Sequence, residues 1–266
     1  MIEQLLHLRA RKLHARRPWK LAKRPAQPRA AELAYTADLR KLVKSWADVV
    51  AQRVIPAIPH VDDLHSPYNE FVIAQQEIRR YSSPQVIIPM ARAQTGRVSA
   101  FTSRELGRSL GIGYEAFNVG ATNILTPQTD AFISENVDLI TSLSDGYIDR
   151  VGSILSDMQG ARVEDISDAL QLALGVTQSH ADLIAVDQTL KLNSQFTQTR
   201  QQQVGITEYM WMTAHDERVR PDHRALDMTR HSWNDEPPIV DSRTGRREPP
   251  GRDFRCRCQA IAVIPD

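Results

Sequence analysis

The sequence predicts a mainly α-helical protein with long helices and a small α+β C-terminal module that contains a short β-sheet. Apolar residues recur at spacings of three and four from 30 to 55 and from 126 to 160, which is typical of long amphipathic helices. Alternating apolar residues near 206–213 and 260–264 predict two strands. The predicted regions are a basic, partly extended arm (1–29), an N-terminal helical region (30–125), a long-helix region (126–205) and the C-terminal module (206–266).

Composition excludes several classes of protein. The 266 residues are 41% hydrophobic and 24% charged, which is ordinary for a globular chain that buries a sizeable core. No apolar run approaches the roughly 18 residues that span a bilayer, and no signal-peptide core follows the first Met. Both cysteines lie in one C-x-C, too close for an unstrained disulfide, so we expect reduced thiols in a cytoplasm.

The N-terminal arm is strongly basic. Among the first 30 residues, nine are Lys or Arg and one is acidic. The basic residues are Arg9, Arg11, Lys12, Arg16, Arg17, Lys20, Lys23, Arg24 and Arg29. Three prolines disfavour helix from 17 to 29, whereas residues 1–16 could form a short basic helix. Such an arm can bind nucleic-acid phosphates or an acidic protein surface, and a solvated terminus is the alternative.

The region 30–125 contains three predicted helices. They extend from 30 to 55, from 71 to 81 and from 92 to 110, with prolines ending the first and glycines ending the third. The apolar run from 84 to 89, bounded by prolines, predicts an extended segment.

Three helices are also predicted between 126 and 205. The first begins at Thr126, which is followed by a proline suited to the first helical position, and ends at Gly160. A shorter helix closes at Gly175, and Thr177 caps a second long helix. The C-terminal part of that helix, NSQFTQTRQQQ, is almost entirely polar, so we expect it to be exposed or to lie against a polar partner.

The C-terminal module concentrates potential metal ligands. If Cys258 opens the terminal strand, the thiols of Cys256 and Cys258 project from one face. The proline-rich loop before them favours a folded-back connection, so His223 could meet the cysteine pair across a hairpin. The soft ligands of this trio favour zinc. The candidates for a fourth ligand are Asp216, His215 and His231.

Two other interpretations of this cluster remain open. A metal-free network of hydrogen bonds and ion pairs, with Cys as a small buried hydrophobe, would tie the module together equally well. A two-metal, nuclease-like site is also permitted by Asp216, Glu217, Asp222 and Asp227 together with His223. Arg218, Arg220 and Arg224, however, offer these acids ion-pair partners. The chain lacks a P-loop, a nucleophile elbow and an H-E-x-x-H motif. We therefore predict a structural cluster, no catalytic residues and no enzyme activity.

The module resembles the C-terminal signature of the phage Mu protein F-like head morphogenesis family. That signature is W-x-T-A-x-D-E-R-V-R-x-x-H, followed by P-P, P-G and C-R-C. The matching positions are Trp211, Thr213, Ala214, Asp216, Glu217, Arg218, Val219, Arg220, His223, Pro237, Pro238, Pro250, Gly251, Cys256, Arg257 and Cys258. The resemblance continues more faintly to about Phe101. Met228 follows Asp227 where the family usually has Gly, so we expect the local turn to differ.

The resemblance implies a minor head protein of a tailed phage. It implies a role in head morphogenesis, a place in the virion inside the head near the portal, and presence in the host cytoplasm during assembly. The implied partners are the portal protein or the major capsid protein, together with packaged double-stranded DNA through the arm, and no membrane. Zinc, which the ligand cluster favours, is the only cofactor that we predict. The alternatives are a metal-dependent nuclease or other DNA-processing enzyme, and a scaffold-like assembly factor that leaves the mature virion.

Overall fold

The computed structural model describes residues 19–58, 66–113, 117 and 124–265, and these residues are mainly helical. The helices are α1 (Arg29–Val49), a π-helix (Val50–Val54), α2 (Ile55–Ala57), α3 (Pro67–Tyr81), α4 (Pro84–Leu110), α5 (Thr126–Asp157), α6 (Val163–Gln203) and α7 (Pro221–Ala225). The strands are β1 (Trp19–Leu21), β2 (Glu208–Met212), β3 (Arg230–Ser232), β4 (Ile239–Asp241), β5 (Arg246–Arg247) and β6 (Gln259–Pro265). Long helices with a small C-terminal sheet confirm the predicted fold class.

Two compact units are formed from segments distant in the chain. The first comprises the described parts of Met1–Ala31, Thr95–Asp130 and Asp187–Asp266. The second comprises the described parts of Glu32–Gln94 and Ala131–Val186. None of the helices in the described part of the chain is both long and apolar enough to cross a membrane.

The second unit is a helical core centred on Trp46, which is fully buried and stacks on Tyr147 with ring centroids 6.4 Å apart. The predicted helix from residue 30 is confirmed, although helical structure continues to residue 57. Pro56 does not interrupt it, because the π-helix ends at Val54 and Pro56 takes an early position in α2, where a missing N–H costs little.

The prediction of an extended segment at 84–89 is wrong, since these residues form the first turns of α4. The carbonyl of Ser83 accepts hydrogen bonds from the backbone N–H groups of Val86 (2.9 Å) and Ile87 (3.1 Å). Pro84 stands at the first helical position, where its missing N–H leaves no partner unpaired. A short apolar run of this kind fits a buried strand and a buried helical turn equally well.

The predicted break at Gly175 is also wrong, because α6 (Val163–Gln203) is continuous over its 41 residues. Thr177 is buried inside the helix, and its hydroxyl donates to the carbonyl of Ala173 at 2.9 Å instead of capping a new N-terminus. A single glycine costs a helix only about 1 kcal/mol, which the packing of the flanking turns offsets.

The first unit contains a four-stranded antiparallel sheet in the order β1-β6-β2-β3. Strand β6 lies between β1 and β2, with Ala262 opposite Tyr209 and Pro265 opposite Trp19. β4 and β5 form a separate two-stranded ribbon. The extended backbone predicted after residue 17 is confirmed from Trp19 onward, because β1 is an edge strand of this sheet. Residues 1–18, with the predicted basic helix, lie outside the described residues.

Candidate metal centre

The site is built on the face of β2 that carries Tyr209 and Trp211. Met210 between them points to the opposite face, as the two-residue period of a strand requires. Tyr209 and Trp211 are almost fully buried in an apolar cluster that includes Trp233 and Cys256. The aromatic rings of Tyr209, Trp211 and Trp233 therefore form one side of the site.

His223 lies on the short helix α7 and contacts this cluster. Arg220 is extended and Pro221 opens the helix, so a single turn orients the imidazole inward. Only 3% of the His223 surface is exposed, and its ring meets Trp211 edge to face, with centroids 5.7 Å apart and planes at 89°. The imidazole is thus packed against the indole in the interior of the module.

The two cysteines approach the same nitrogen of that ring. His223 Nδ1 lies 3.4 Å from Cys256 Sγ and 3.6 Å from Cys258 Sγ, and all three atoms lie within 4.8 Å of one another. Both thiols are buried, and β6 begins one residue later than predicted, at Gln259. The structure thus brings together the trio that the sequence pattern singled out.

Asp253 holds the other side of the imidazole. Its Oδ2 lies 3.1 Å from His223 Nε2, and its side chain is 1% exposed. Arg220 pairs with the same carboxylate, and Arg246 Nη2 lies 2.5 Å from Oδ1. Asp253 was not predicted from the sequence, because a single carboxylate in a charged loop has no distinguishing pattern. Its contact with His223 depends on the fold of the loop, in which Arg255 adopts φ +51°.

Electrostatics within the trio favour one thiolate. The thiol of Cys258 and the imidazole of His223 hold the pKa of Cys256 well below its usual range. Cys256 and burial in turn raise the pKa of Cys258. Burial disfavours the imidazolium of His223, but Cys256 and Asp253 outweigh burial and raise its pKa. The arrangement stabilises negative charge on sulfur, which is the form that binds metals.

The three residues considered as a fourth ligand are engaged elsewhere. Asp216 forms a two-pronged ion pair with Arg257, at 2.5 and 2.8 Å. His215 Nε2 lies 2.8 Å from a carboxylate oxygen of Asp227, and His231 Nε2 lies 2.6 Å from the hydroxyl of Thr229. Over the described ranges, the cluster of potential metal ligands contains only His223, Cys256 and Cys258.

The carboxylates considered for a nuclease site do not converge. Asp222 accepts bonds from the backbone and hydroxyl of Ser242, at 2.8 and 3.0 Å. Asp227 accepts bonds from the backbone and hydroxyl of Thr213, at 2.8 and 3.0 Å. Asp222 and Asp227 are therefore engaged by hydrogen bonds and Asp216 by its ion pair with Arg257. In the part of the chain that the structure describes, these acids form no shared ion site.

The signature residues have structural contacts. Trp211 lines the site, Arg220 holds Asp253, and Arg257 holds Asp216, while Arg218 is mostly exposed. Gly251 adopts φ +87° where a Cβ would lie 3.1 Å from the carbonyl oxygen of Cys258.

The turn after Asp227 keeps a left-handed residue although glycine is absent. Met228 adopts φ +60°, and its N–H donates to the carbonyl of Trp211 at 2.8 Å. Trp211 N–H in turn donates to the carbonyl of Thr229 at 2.8 Å, and these two bonds hold the turn.

The polar end of α6 lies against polar partners within its own unit. Gln201 donates from Nε2 to the carbonyl of Ala260 and accepts from the indole of Trp233, both at 3.0 Å. Ser194 donates to the carbonyl of Pro250 at 2.6 Å. Arg200, which is 1% exposed, bonds Ser99 at 2.9 Å and also Thr102. Gln201 and Ser194 thus attach β6 and the cysteine loop (residues 249–258) to α6, whereas Arg200 attaches α4 to it.

The fold and this site define a helical protein whose C-terminal module is tied together by buried polar side chains. Comparison with known proteins gives the family. Residues 155–261 match the family described as phage Mu protein F like protein. The resemblance carried by the W-to-C-R-C signature is confirmed.

A relative is found in Haemophilus influenzae (strain Rd), where it is an uncharacterized protein. It is 33% identical over 167 residues, which are 62% of this chain and 36% of the relative. The chain therefore spans about a third of the length of the relative that it matches. No solved structure matches.

Proposed function

We propose that this chain is a minor head protein of a tailed phage, bound to the portal inside the head, where it contacts packaged DNA. The observation that carries the proposal is the match of residues 155–261 to the phage Mu protein F like family. The site agrees with it, because Asp216, Asp222 and Asp227 are each engaged with other residues and, among the described residues, form no common ion site.

Exposed apolar residues support a protein partner such as the portal. Leu172 and Val176 lie one turn apart on α6 and are 72% and 39% exposed. On α3, Tyr68 and Val72 have the same spacing and are 68% and 42% exposed. Apolar side chains at such positions contribute to binding when a second protein covers them.

Charge supports contact with DNA. Among the described basic residues of the arm, Lys20, Lys23, Arg24 and Arg29 are exposed. Arg24 is held within the unit, because its guanidinium donates to Gln259 Oε1 and to the carbonyl of Thr213, each at 2.9 Å. Exposed Lys and Arg side chains neutralise phosphates without reading bases, so binding should be independent of sequence and should weaken as salt rises.

The test combines location with DNA binding. Quantitative mass spectrometry of purified heads should find the chain in few copies, and a pull-down should retain it on portal protein. A variant that lacks residues 1–18 and carries Lys20→Gln and Lys23→Gln retains β1. Its slope of log affinity on log salt should flatten by about 0.9 for each phosphate that the variant no longer neutralises. Lys41→Gln, an exposed Lys on α1, is the matched control and should leave the slope unchanged.

Two outcomes would overturn parts of the proposal. If the shortened variant keeps its DNA affinity but no longer enters heads, the arm docks on protein and the DNA contact is wrong. If the chain is present in assembling heads but absent from mature ones, it is a scaffold-like assembly factor.

A further inference from the structure

We propose that His223, Cys256 and Cys258 bind one Zn²⁺ ion, with a water molecule as its fourth ligand. This centre is independent of the proposed place in the phage head. It would join α7 to the cysteine loop, two segments that are more than thirty residues apart in the chain and that meet beside β2.

The distances fit a tetrahedral zinc ion. With Zn–S about 2.3 Å and Zn–N about 2.05 Å, tetrahedral angles place an imidazole nitrogen about 3.6 Å from each sulfur. The observed separations from His223 Nδ1 to the two Sγ atoms are 3.4 and 3.6 Å. The donor set of two thiolates and an imidazole is one that zinc prefers over magnesium or calcium. The two nitrogen–sulfur separations therefore match those of a tetrahedral zinc site.

The surroundings orient the ligand nitrogen. A metal-binding histidine commonly donates its other N–H to a carboxylate, which fixes the tautomer and the ring orientation. Asp253 occupies that position, 3.1 Å from His223 Nε2. Two thiolates would neutralise the ion, and Arg220 and Arg246 already balance Asp253. The complete centre would thus bury no uncompensated charge.

The fourth position faces a small cavity. A space of about 20 Å³ is lined by both cysteines together with Asn193, Ser194 and Gly251, and it is large enough for one water. The amide oxygen Oδ1 of Asn193 is buried and has no hydrogen-bond partner among the described residues. A zinc-bound water in this cavity could donate to that oxygen and satisfy it.

A catalytic thiol is the competing interpretation, because Cys256, His223 and Asp253 are ordered as nucleophile, base and orienting acid. Two observations favour the metal. Both sulfurs approach the same nitrogen, whereas a nucleophile needs only one. Cys256 and Cys258 are only 4% and 7% exposed, so a substrate would have no path to either sulfur.

The test measures metal directly on the full chain. Elemental analysis of purified protein should give one zinc per chain. X-ray absorption should give two sulfurs at about 2.3 Å and two lighter atoms at about 2.0–2.1 Å. Cobalt substituted for zinc should show the visible bands and thiolate charge-transfer bands of a tetrahedral site. Metal removal should lower the unfolding temperature, and added zinc should restore it.

Variants separate the ligands from their neighbours. Cys258→Ser should lose the zinc, whereas His215→Gln and His231→Gln should keep one ion per chain. Asp253→Asn should bind zinc 10- to 100-fold more weakly, because a supporting carboxylate tunes the ligand without touching the ion. Asn193→Leu should retain zinc but change the cobalt spectrum, since it removes the acceptor for the bound water.

Two results together would overturn the proposal. The wild-type protein would contain no zinc after expression in zinc-supplemented medium, and its unfolding temperature would be the same with and without chelator. Loss of zinc from the His215 or His231 variant would overturn water as the fourth ligand. Modification of Cys256 by a substrate-like electrophile in metal-free protein, at a rate that falls in Asp253→Asn, would favour the catalytic thiol. Zinc-loaded chain that is absent from heads would overturn the proposed function alone.

Discussion

Replacing Gly251 with Ala tests how closely the cysteine loop approaches α6. Gly251 has φ +87°, and a Cβ there would lie 3.1 Å from the carbonyl oxygen of Cys258 and 3.1 Å from the Cβ of Ser194. Gly245 also has a positive φ, +69°, but a Cβ there would meet no atom within 4 Å. Both glycines belong to the same compact unit, so the two alanine variants form a matched pair.

The two variants share the backbone cost and differ in the steric cost. A left-handed conformation costs an L-residue about 1 kcal/mol, which is the whole expected effect of Gly245→Ala. Gly251→Ala adds crowding against a backbone carbonyl that cannot rotate away, and overpacking of this kind costs about 1–3 kcal/mol. The expected total for Gly251→Ala is therefore about 2–4 kcal/mol.

Thermal unfolding followed by tryptophan fluorescence measures the difference. For a chain of this size, 1 kcal/mol corresponds to roughly 2–4 °C in Tm. Gly245→Ala should lower Tm by roughly 2–4 °C, and Gly251→Ala by at least twice as much. Equal shifts in the two variants would refute the close approach of Gly251 to Cys258 and Ser194.

Three further predictions concern packing and burial. Gln201→Leu leaves a carbonyl and an indole N–H unpaired and should cost about 2–4 kcal/mol in denaturant unfolding, whereas Gln202→Leu on the exposed surface should change stability by less than about 0.5 kcal/mol. Gly175→Ala should stabilise by about 0.5–1 kcal/mol because α6 is continuous there, and destabilisation would mean that Gly175 caps a helix. Burial raises the pKa values of Tyr147 and Tyr209 to about 12. In an ultraviolet titration, these two tyrosines should therefore ionise at a higher pH than exposed tyrosines do. Since the unfolded chain loses these protons near pH 10, each tyrosine lowers stability as pH rises from about 10 to 12, and replacement by Phe should remove its share.

The sequence by itself determined the local elements and the chemistry of the module. The apolar spacing fixes α5 from Thr126, because the Thr-Pro start and the glycine after its end are local signals. The alternation of side chains around Tyr209 and Trp211 predicts β2, because the two-residue period of a strand is also a local signal. The presence of His and two Cys in one proline-rich module was enough to select the trio, since few residue types bind zinc.

Tertiary packing decided those features for which the local sequence signals were misleading or ambiguous. Gly175 is a local signal for a helix end, yet its turn continues because the flanking turns are packed. The apolar run at 84–89 is compatible with a buried strand and with a buried helical turn, and in the folded protein it is helical. Asp253 and Gln201 acquire their roles only when distant segments meet, because a hydrogen bond across the fold leaves no period in the sequence.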